Sequence, residues 1–363
     1  MLRMNRLALS ALAVVLLVAA GSRAADSPLD SLKMGTPELK SAGALTFGPQ
    51  GILFVADPQA AAIYAIDTGD RAAAKGTDRP KVEGIDEKIA SLLGVKPEHL
   101  LFNDLAVNPI SGNAYISLSR GKGADARPAI VRVDRAGKVS DFALKDLKFA
   151  KVTLPNPTEE GKKRQDAITC IAFVKDKLYI AGLSNEEFAS KLRTVAFPFT
   201  EADKGSSIEM YHGSHGQTET KSPIRTFIPF DIDGETNLLA AYTCTPLVKV
   251  PVSELKPGQK VKGTTIAELG NHNVPLDMIV YTKDGKRYIL VANNARGLMK
   301  VSTEGIDKAA PITTPVKDTA GLKYEKIEGV KGVVQLDAFD KEHALVLIKT
   351  EGGAYDLRTI ELP

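Results

Sequence analysis

The sequence predicts an all-β chain, and within that class a β-propeller of six four-stranded blades. Three observations carry this reading. First, residues 273–301 run as three short apolar strands, the first two joined through Lys283-Asp284-Gly285-Lys286. An Asp-Gly pair between apolar runs is a strong hairpin signal, because both central residues must accept positive φ. Second, a unit of strand, hairpin, strand, loop, strand recurs about every 50 to 60 residues, the scale of one propeller blade. Third, helical periodicity is nearly absent, which argues against alternating strand and helix units. A pair of β-sandwiches is the rival architecture, and seven blades remain open if residues 68–100 or 307–331 hold further strands.

The elements follow in order. The first unit has strands at residues 44–47, 52–57 and 62–67, turned at Gly48-Pro49-Gln50-Gly51. A charged loop then precedes a short helix predicted at 87–93. The second unit spans 103–107, 114–118, 129–134 and 139–144, with its first turn at Asn108-Pro109-Ile110-Ser111-Gly112. The third uses 168–174, 178–183, 192–197 and 207–211; the fourth uses 225–230, 237–243, 247–250 and 264–269. The fifth is the meander at 273–301, and the sixth covers 333–339, 344–348 and 355–362. This last unit has only three strands of its own, so an N-terminal strand near Leu39 is expected to complete it. Closing the ring removes two sheet edges that would otherwise pair with other chains.

Residues 1–24 stand apart. Arg3 and Arg6 precede an apolar run at 7–20 that is short for a membrane span, and Ser22-Arg23-Ala24 offers small residues for cleavage. This reads as a signal peptide, with an uncleaved anchor as the alternative, so residues 25–363 form the single mature domain, exported to a periplasm or secreted. Whole-chain charge is +3, from 47 basic and 44 acidic residues, and loss of Arg3, Arg6 and Arg23 brings it to formal neutrality. That balance argues against a nucleic-acid partner and, after cleavage, against a membrane surface. A monomer is expected. The absence of Trp removes the WD signature. Cys170 and Cys244 are the two cysteines, and both a single disulfide and two buried free thiols are open.

The run Gly48-Pro49-Gln50-Gly51-Ile52-Leu53-Phe54-Val55-Ala56-Asp57 resembles the blade hairpin of six-bladed propellers of the NHL and SMP-30/gluconolactonase groups. The resemblance covers single hairpins and reaches no catalytic signature. It implies a site on one axial rim; in SMP-30-like lactonases a Glu, Asn, Asn, Asp set holds a catalytic metal there.

Propeller geometry independently points to that rim. The starts of innermost strands and the ends of second strands return to the same face, and loops at such positions carry function. Strand starts offer Asn103, Asp104, Thr169, Arg225 and Asp277; second-strand ends offer Asp57, Ser119, Arg120, Asn185, Glu186, Thr243, Asn293, Asn294 and Arg296. Asp104 and Glu186 are the candidate general bases. Asn103, Arg120, Asn185, Arg225, Asn293, Asn294 and Arg296 are candidate ligand-binding groups, the arginines suiting an anion. Oxygen ligands of this kind suit Ca²⁺, while His212, His215 and His272, in connections leading to the same rim, suit Zn²⁺. Each histidine equally suits a hydrogen bond to a loop carbonyl, and each arginine a neighbouring blade's carboxylate.

Two functions follow as expectations. One is a metal-dependent hydrolase of lactonase type acting on a small anionic or carbohydrate-derived substrate. The other is a non-catalytic module of the cell envelope that binds a glycan or a protein at the same rim. A histidine-ligated redox centre is the third and least supported reading.

Overall fold

The computed structural model describes residues 27–363, so the predicted signal peptide lies outside the described residues. Six sheets are arranged around one axis as a six-bladed β-propeller. The chain's alternating apolar pattern puts one face of each sheet against each neighbour, and five apolar clusters fill the seams between blades. At the Asp284-Gly285 turn both residues have positive φ, 52° and 73°, as the hairpin requires.

Blade 1 is built from Leu45–Phe47, Ile52–Asp57 and Ala62–Asp67. Blade 2 uses Leu100–Val107, Ala114–Arg120, Arg127–Val133 and Val139–Asp141; blade 3 uses Cys170–Val174, Lys177–Leu183, Ser190–Ala196 and Ser206–His212. Ile224–Ile232, Glu235–Tyr242, Pro246–Pro251 and Thr264–Leu269 make blade 4. Blade 5 is Pro275–Lys283, Lys286–Asn293, Gly297–Ser302 and Tyr324–Lys326, and blade 6 begins with Val333–Ala338, His343–Lys349 and Tyr355–Glu361. The helix α1 covers Ile85–Leu93.

The order around the ring differs from the order along the chain. Innermost strands neighbour one another in the sequence 1, 3, 4, 5, 6, 2 and back to 1, so blade 2 is spliced between the last blade and the first. The fourth strand of blade 6 is Lys81–Val82, antiparallel to Tyr355–Glu361, and the fourth strand of blade 1 is Leu147–Thr153, made after blade 2. Closure therefore joins an early strand to the C-terminal one as expected, but Leu39 lies outside every strand. The segment that closes the ring has only two paired residues and no periodicity to read.

Hydrogen bonds between blades follow this order. The Asp277 carboxylate of blade 5 accepts from Leu336 N–H of blade 6 at 2.9 Å. Asp337 of blade 6 accepts from Val107 N–H of blade 2 at 2.7 Å, and Asp104 of blade 2 accepts from Leu45 N–H of blade 1 at 2.7 Å. Each also accepts from the backbone N–H of the residue that follows it. Three consecutive seams thus share one device, an aspartate bridging its own strand and the next.

Gly182 shows how closely the outer parts pack. A Cβ there would stand 2.1 Å from the Ala167 carbonyl oxygen, in the loop that carries Gln165 and Asp166 over the axis. Gly182→Ala is expected to cost about 2–3 kcal/mol, because backbone must move to admit it. A denaturant midpoint within experimental error of wild type would contradict this.

Candidate functional site

Four of the innermost strands carry a β-bulge near their start. The register skips Asn103, Arg225, Leu276 and Val334 in blades 2, 4, 5 and 6. A bulge bends the strand and re-aims side chains. Asp104, Thr226, Asp277 and Gln335 come immediately after these positions, and all four line a cavity on the axis, joined by Cys170 at the start of blade 3. Blade 1 contributes mostly small residues to the wall, Ser41, Ala42, Gly43 and Ala44 with Pro58, so room is left on its side. The cavity has a volume of about 360 Å³, and its polar lining also includes Ser41, Asn103, Ser119, Gln165, Asp166, Thr169 and Arg225.

Most of these groups also tie blades together. Asn103 Nδ2 donates to the Ala42 carbonyl at 2.7 Å, Gln335 Nε2 donates to the Asn103 carbonyl at 3.0 Å, and Thr169 Oγ1 donates to the Ile224 carbonyl at 2.6 Å. Arg225 differs. Its Nε is buried with no hydrogen-bond partner among the described residues, an arrangement that favours an anionic ligand.

The aspartates around the bore are poised to hold protons. Burial pushes Asp104 up to about 7; the two backbone N–H donors and Arg225 oppose that rise, and the negative charge of Asp337 adds to it. Burial and then the neighbouring Asp104 charge raise Asp277 well above the usual carboxylate range. Asp337 rises to about 6, also by burial. Asp166, over the mouth, is raised by burial against the pull of Arg225. The Cys170 thiol is pushed up to about 12 by burial, so it stays protonated and donates weakly to the Phe227 carbonyl.

Of the residues singled out in the sequence, Asn103, Asp104, Ser119, Thr169, Arg225 and Asp277 meet in this cavity. Glu186 and Asn185 do not. They line a separate pocket of about 420 Å³ with Thr158, Glu159, Glu160, Lys163, Ser184 and Lys221. There Glu186 pairs with the buried Lys191 Nζ at 2.7 Å, and that hydrogen bond holds its carboxyl below the usual range. Arg120 donates to the Leu93 carbonyl at 3.3 Å, on the way to α1. Asn293 caps the turn ahead of Arg296, accepting from Ala295 and Arg296 N–H, and Asn294 accepts from Val274 N–H. Arg296 bonds Tyr324 and the Asn271 carbonyl. The Glu, Asn, Asn, Asp set that the resemblance implies is therefore not assembled in one place, and Asp104 and Asp277 are each committed to two backbone donors.

The histidines divide. His212 and His215 are neighbours, with ring centroids 3.8 Å apart, and each sets Nδ1 against Glu219 Oε1, at 2.9 and 2.6 Å. Burial would raise the Glu219 carboxyl, but hydrogen bonds from Ser222 and both imidazoles outweigh it and hold the carboxyl low. His272 is exposed and lines a cavity of about 450 Å³ that His215 and Cys244 also line, yet it stands outside the cluster in which three ligand atoms come within 4.8 Å. That cluster is His212, His215 and Cys244. The two cysteines are both free thiols, Cys170 on the axial cavity and Cys244 at this second one, so no disulfide joins them.

Sequence reading missed Thr226, Gln335 and Asp166 in the axial cavity, Asp337 at the seam with Val107, and Cys244 and Glu219 beside the histidines. A signal for the bore residues exists in the repeated pair of an aspartate and an apolar residue at the inner strand: Asp104-Leu105, Asp277-Met278 and Asp337-Ala338.

No protein-family model matches the chain, and no curated protein matches it in sequence. Solved structures similar in fold include a streptogramin B lyase, at 11% identity over 92% of this chain and 88% of that one, with a TM-score of 0.36. A β-xylosidase, RS223, shows 12% identity over 72% and 92%, with a TM-score of 0.36. A third is a structure titled for GH130-family glycoside hydrolases that target β-1,2-mannosidic linkages in Candida mannan, at 8% identity over 71% and 83%, TM-score 0.34. Likeness at this level says nothing about the chemistry of the present chain. The class that fold and site define is a six-bladed β-propeller with an acidic, arginine-bearing cavity on its axis.

Proposed function

We propose that the protein is a hydrolase of a small, polar substrate bearing an anionic group, bound in the axial cavity. The reading rests on one observation: a buried guanidinium nitrogen without a partner among the described residues shares a cavity with carboxyls whose burial raises them toward neutral pH. Arg225 would anchor the anionic group. Asp104 and Asp277 repel each other's charge, so one carries a proton while the other is ionised. The ionised carboxylate takes a proton from the attacking water, and the protonated carboxyl gives its proton to the departing oxygen. The C–O bond breaks, the new one forms to the water oxygen, and the sum is addition of water.

The test uses the purified mature chain against chromogenic lactones, esters and glycosides that carry a carboxylate or phosphate. Asp104→Asn is expected to lower kcat by about 10²-fold or more, and Arg225→Ala to raise KM about 10- to 100-fold. The wild-type pH profile should have a limb near 7. Wild-type chain without turnover, or variants equal to it, removes the reading. The binding-module alternative is favoured if calorimetry finds a ligand that Arg225→Ala loses and no substrate is turned over.

Export is part of the proposal. Among the described residues no helix is long and apolar enough to cross a membrane, and the charged, then apolar, then small-residue order of residues 1–24 supports cleavage after Ala24. N-terminal sequencing of the exported chain should start at Ala25.

A further inference from the structure

We propose that Cys244, His212 and His215 form a binding site for a zinc-class divalent cation at the seam between blades 3 and 4, apart from the axial cavity. Their ligand atoms already lie within 4.8 Å of one another. Around a tetrahedral zinc, with bonds of about 2.3 Å to sulfur and about 2.0 Å to nitrogen, ligand atoms stand about 3.5 Å apart, so small rotations close the set.

The surroundings have the form of a metal's outer shell. Glu219 Oε1 can only accept, and it faces Nδ1 of both imidazoles, which leaves Nε2 of each ring turned away from the carboxylate. A carboxylate bonded to the far nitrogen of a metal-binding histidine is the usual way such rings are oriented and made more basic. The Ser214 and Thr245 hydroxyls at 2.9 and 2.8 Å from His212 Nε2 fit a lone pair at that atom. A thiolate, two neutral imidazoles and a divalent cation sum to +1, which Glu219 balances.

The backbone is built to hold this arrangement. Cys244 has φ of 106°, a conformation that side chains other than glycine rarely adopt, in the turn between the second and third strands of blade 4. The histidine loop is pinned from both sides, by Gly213 N–H donating to the buried Glu268 at 2.5 Å and by Val316 N–H donating to the Gly213 carbonyl at 2.9 Å. A Cβ on Gly213 would stand 2.8 Å from that Glu268 oxygen, so a bulkier residue would have to displace either the loop or the Glu268 carboxylate that anchors it. The adjoining cavity leaves a fourth coordination position open to water or a small ligand.

The experiment strips the reduced mature chain with chelator and titrates Zn²⁺ against a chromophoric competitor, with Co²⁺ as the spectroscopic probe. One equivalent should bind, and Co²⁺ should give a thiolate-to-metal charge-transfer band in the near ultraviolet. Glu219→Gln should weaken Zn²⁺ about 10- to 100-fold, and Cys244→Ser or His215→Ala by more. His215 is exposed, so its variant tests the site without disturbing the core. Absence of saturable binding by wild type overturns the proposal, as does a Cys244→Ser protein that keeps wild-type affinity or a wild-type Co²⁺ form without the band.

Discussion

Glu186→Ala is expected to lower the free energy of unfolding by about 1–3 kcal/mol, less than the cost of breaking a fully buried pair, because the Glu186 side chain is 34% exposed and solvent screens it. Lys191 is 1% exposed, and its ammonium has two partners, Glu186 Oε2 at 2.7 Å and Ser207 Oγ at 2.8 Å. Next on the same face lies Arg193, also 1% exposed, whose Nε and Nη1 find no partner among the described residues. Burial brings that guanidinium down to about 10. The Glu186 carboxylate therefore acts on both buried cations, with Asp203 a second negative charge near Arg193, and its loss leaves the Lys191 ammonium only the Ser207 hydroxyl. The double variant Glu186→Ala, Lys191→Met should recover most of the loss, since an apolar chain of similar volume needs no counter-charge. Denaturant midpoints of the two single variants and the double one decide it; a Glu186→Ala cost under about 1 kcal/mol would sink the argument. Because the Glu186 carboxyl is held below its ordinary range, its contribution is present above the unfolded value and disappears only as pH falls through the lowered one.

The aspartates of the bore work in the opposite sense. Acidifying from pH 8 to pH 5 is expected to stabilise the fold by on the order of 2–4 kcal/mol. Their folded values lie above the unfolded one, Asp104 at about 7 and Asp337 at about 6. Their favourable contribution is complete below the unfolded pKa of about 3.9 and is lost as pH climbs through the folded values. The carboxyls face a bore that water enters, which keeps the figure below what the shifts alone would suggest. Asp277→Asn should shrink this step and move it to lower pH, because Asp104 then ionises beside one charge fewer. Thermal denaturation from pH 4.5 to 8.5 measures it. Stability that stays flat or increases over the upper half of that range contradicts the account.

Much of the fold was legible because each blade's inner three strands are apolar and short, with turns such as Asp284-Gly285 between them. The outer strands were harder. Leu147–Thr153 alternates with Lys148 and Lys151, and Tyr324–Lys326 is largely exposed, so neither shows the apolar run that marks a buried strand. Ring order was not legible at all, since the inner strands of blades 1, 2 and 6 present similar apolar faces and pairing across seams is long-range. In the site, Asn103, Asp104, Thr169, Arg225 and Asp277 were found because they begin innermost strands. Glu186, Asn293 and Arg296 end second strands, one strand spacing of about 4.8 Å further from the axis, and miss the bore, whereas Ser119 at the end of the blade 2 second strand still reaches it. His212 and His215 were visible as a spaced pair; Cys244 belongs to another blade's turn, and only the folded chain brings it alongside.

The splicing of blade 2 into the ring sets the timing of assembly. During synthesis Lys81 and Val82 emerge long before Leu357 and Arg358 exist to receive them, and the opening meander waits for residues 147–153 to finish it. A nascent or prematurely terminated chain thus presents raw strand edges at both ends of an unsealed circle, where other polypeptides can add on. The C-terminal hairpin acts as a latch: loss of Tyr355–Glu361 alone would leave nearly every core residue in place and still yield a sticky, aggregating product.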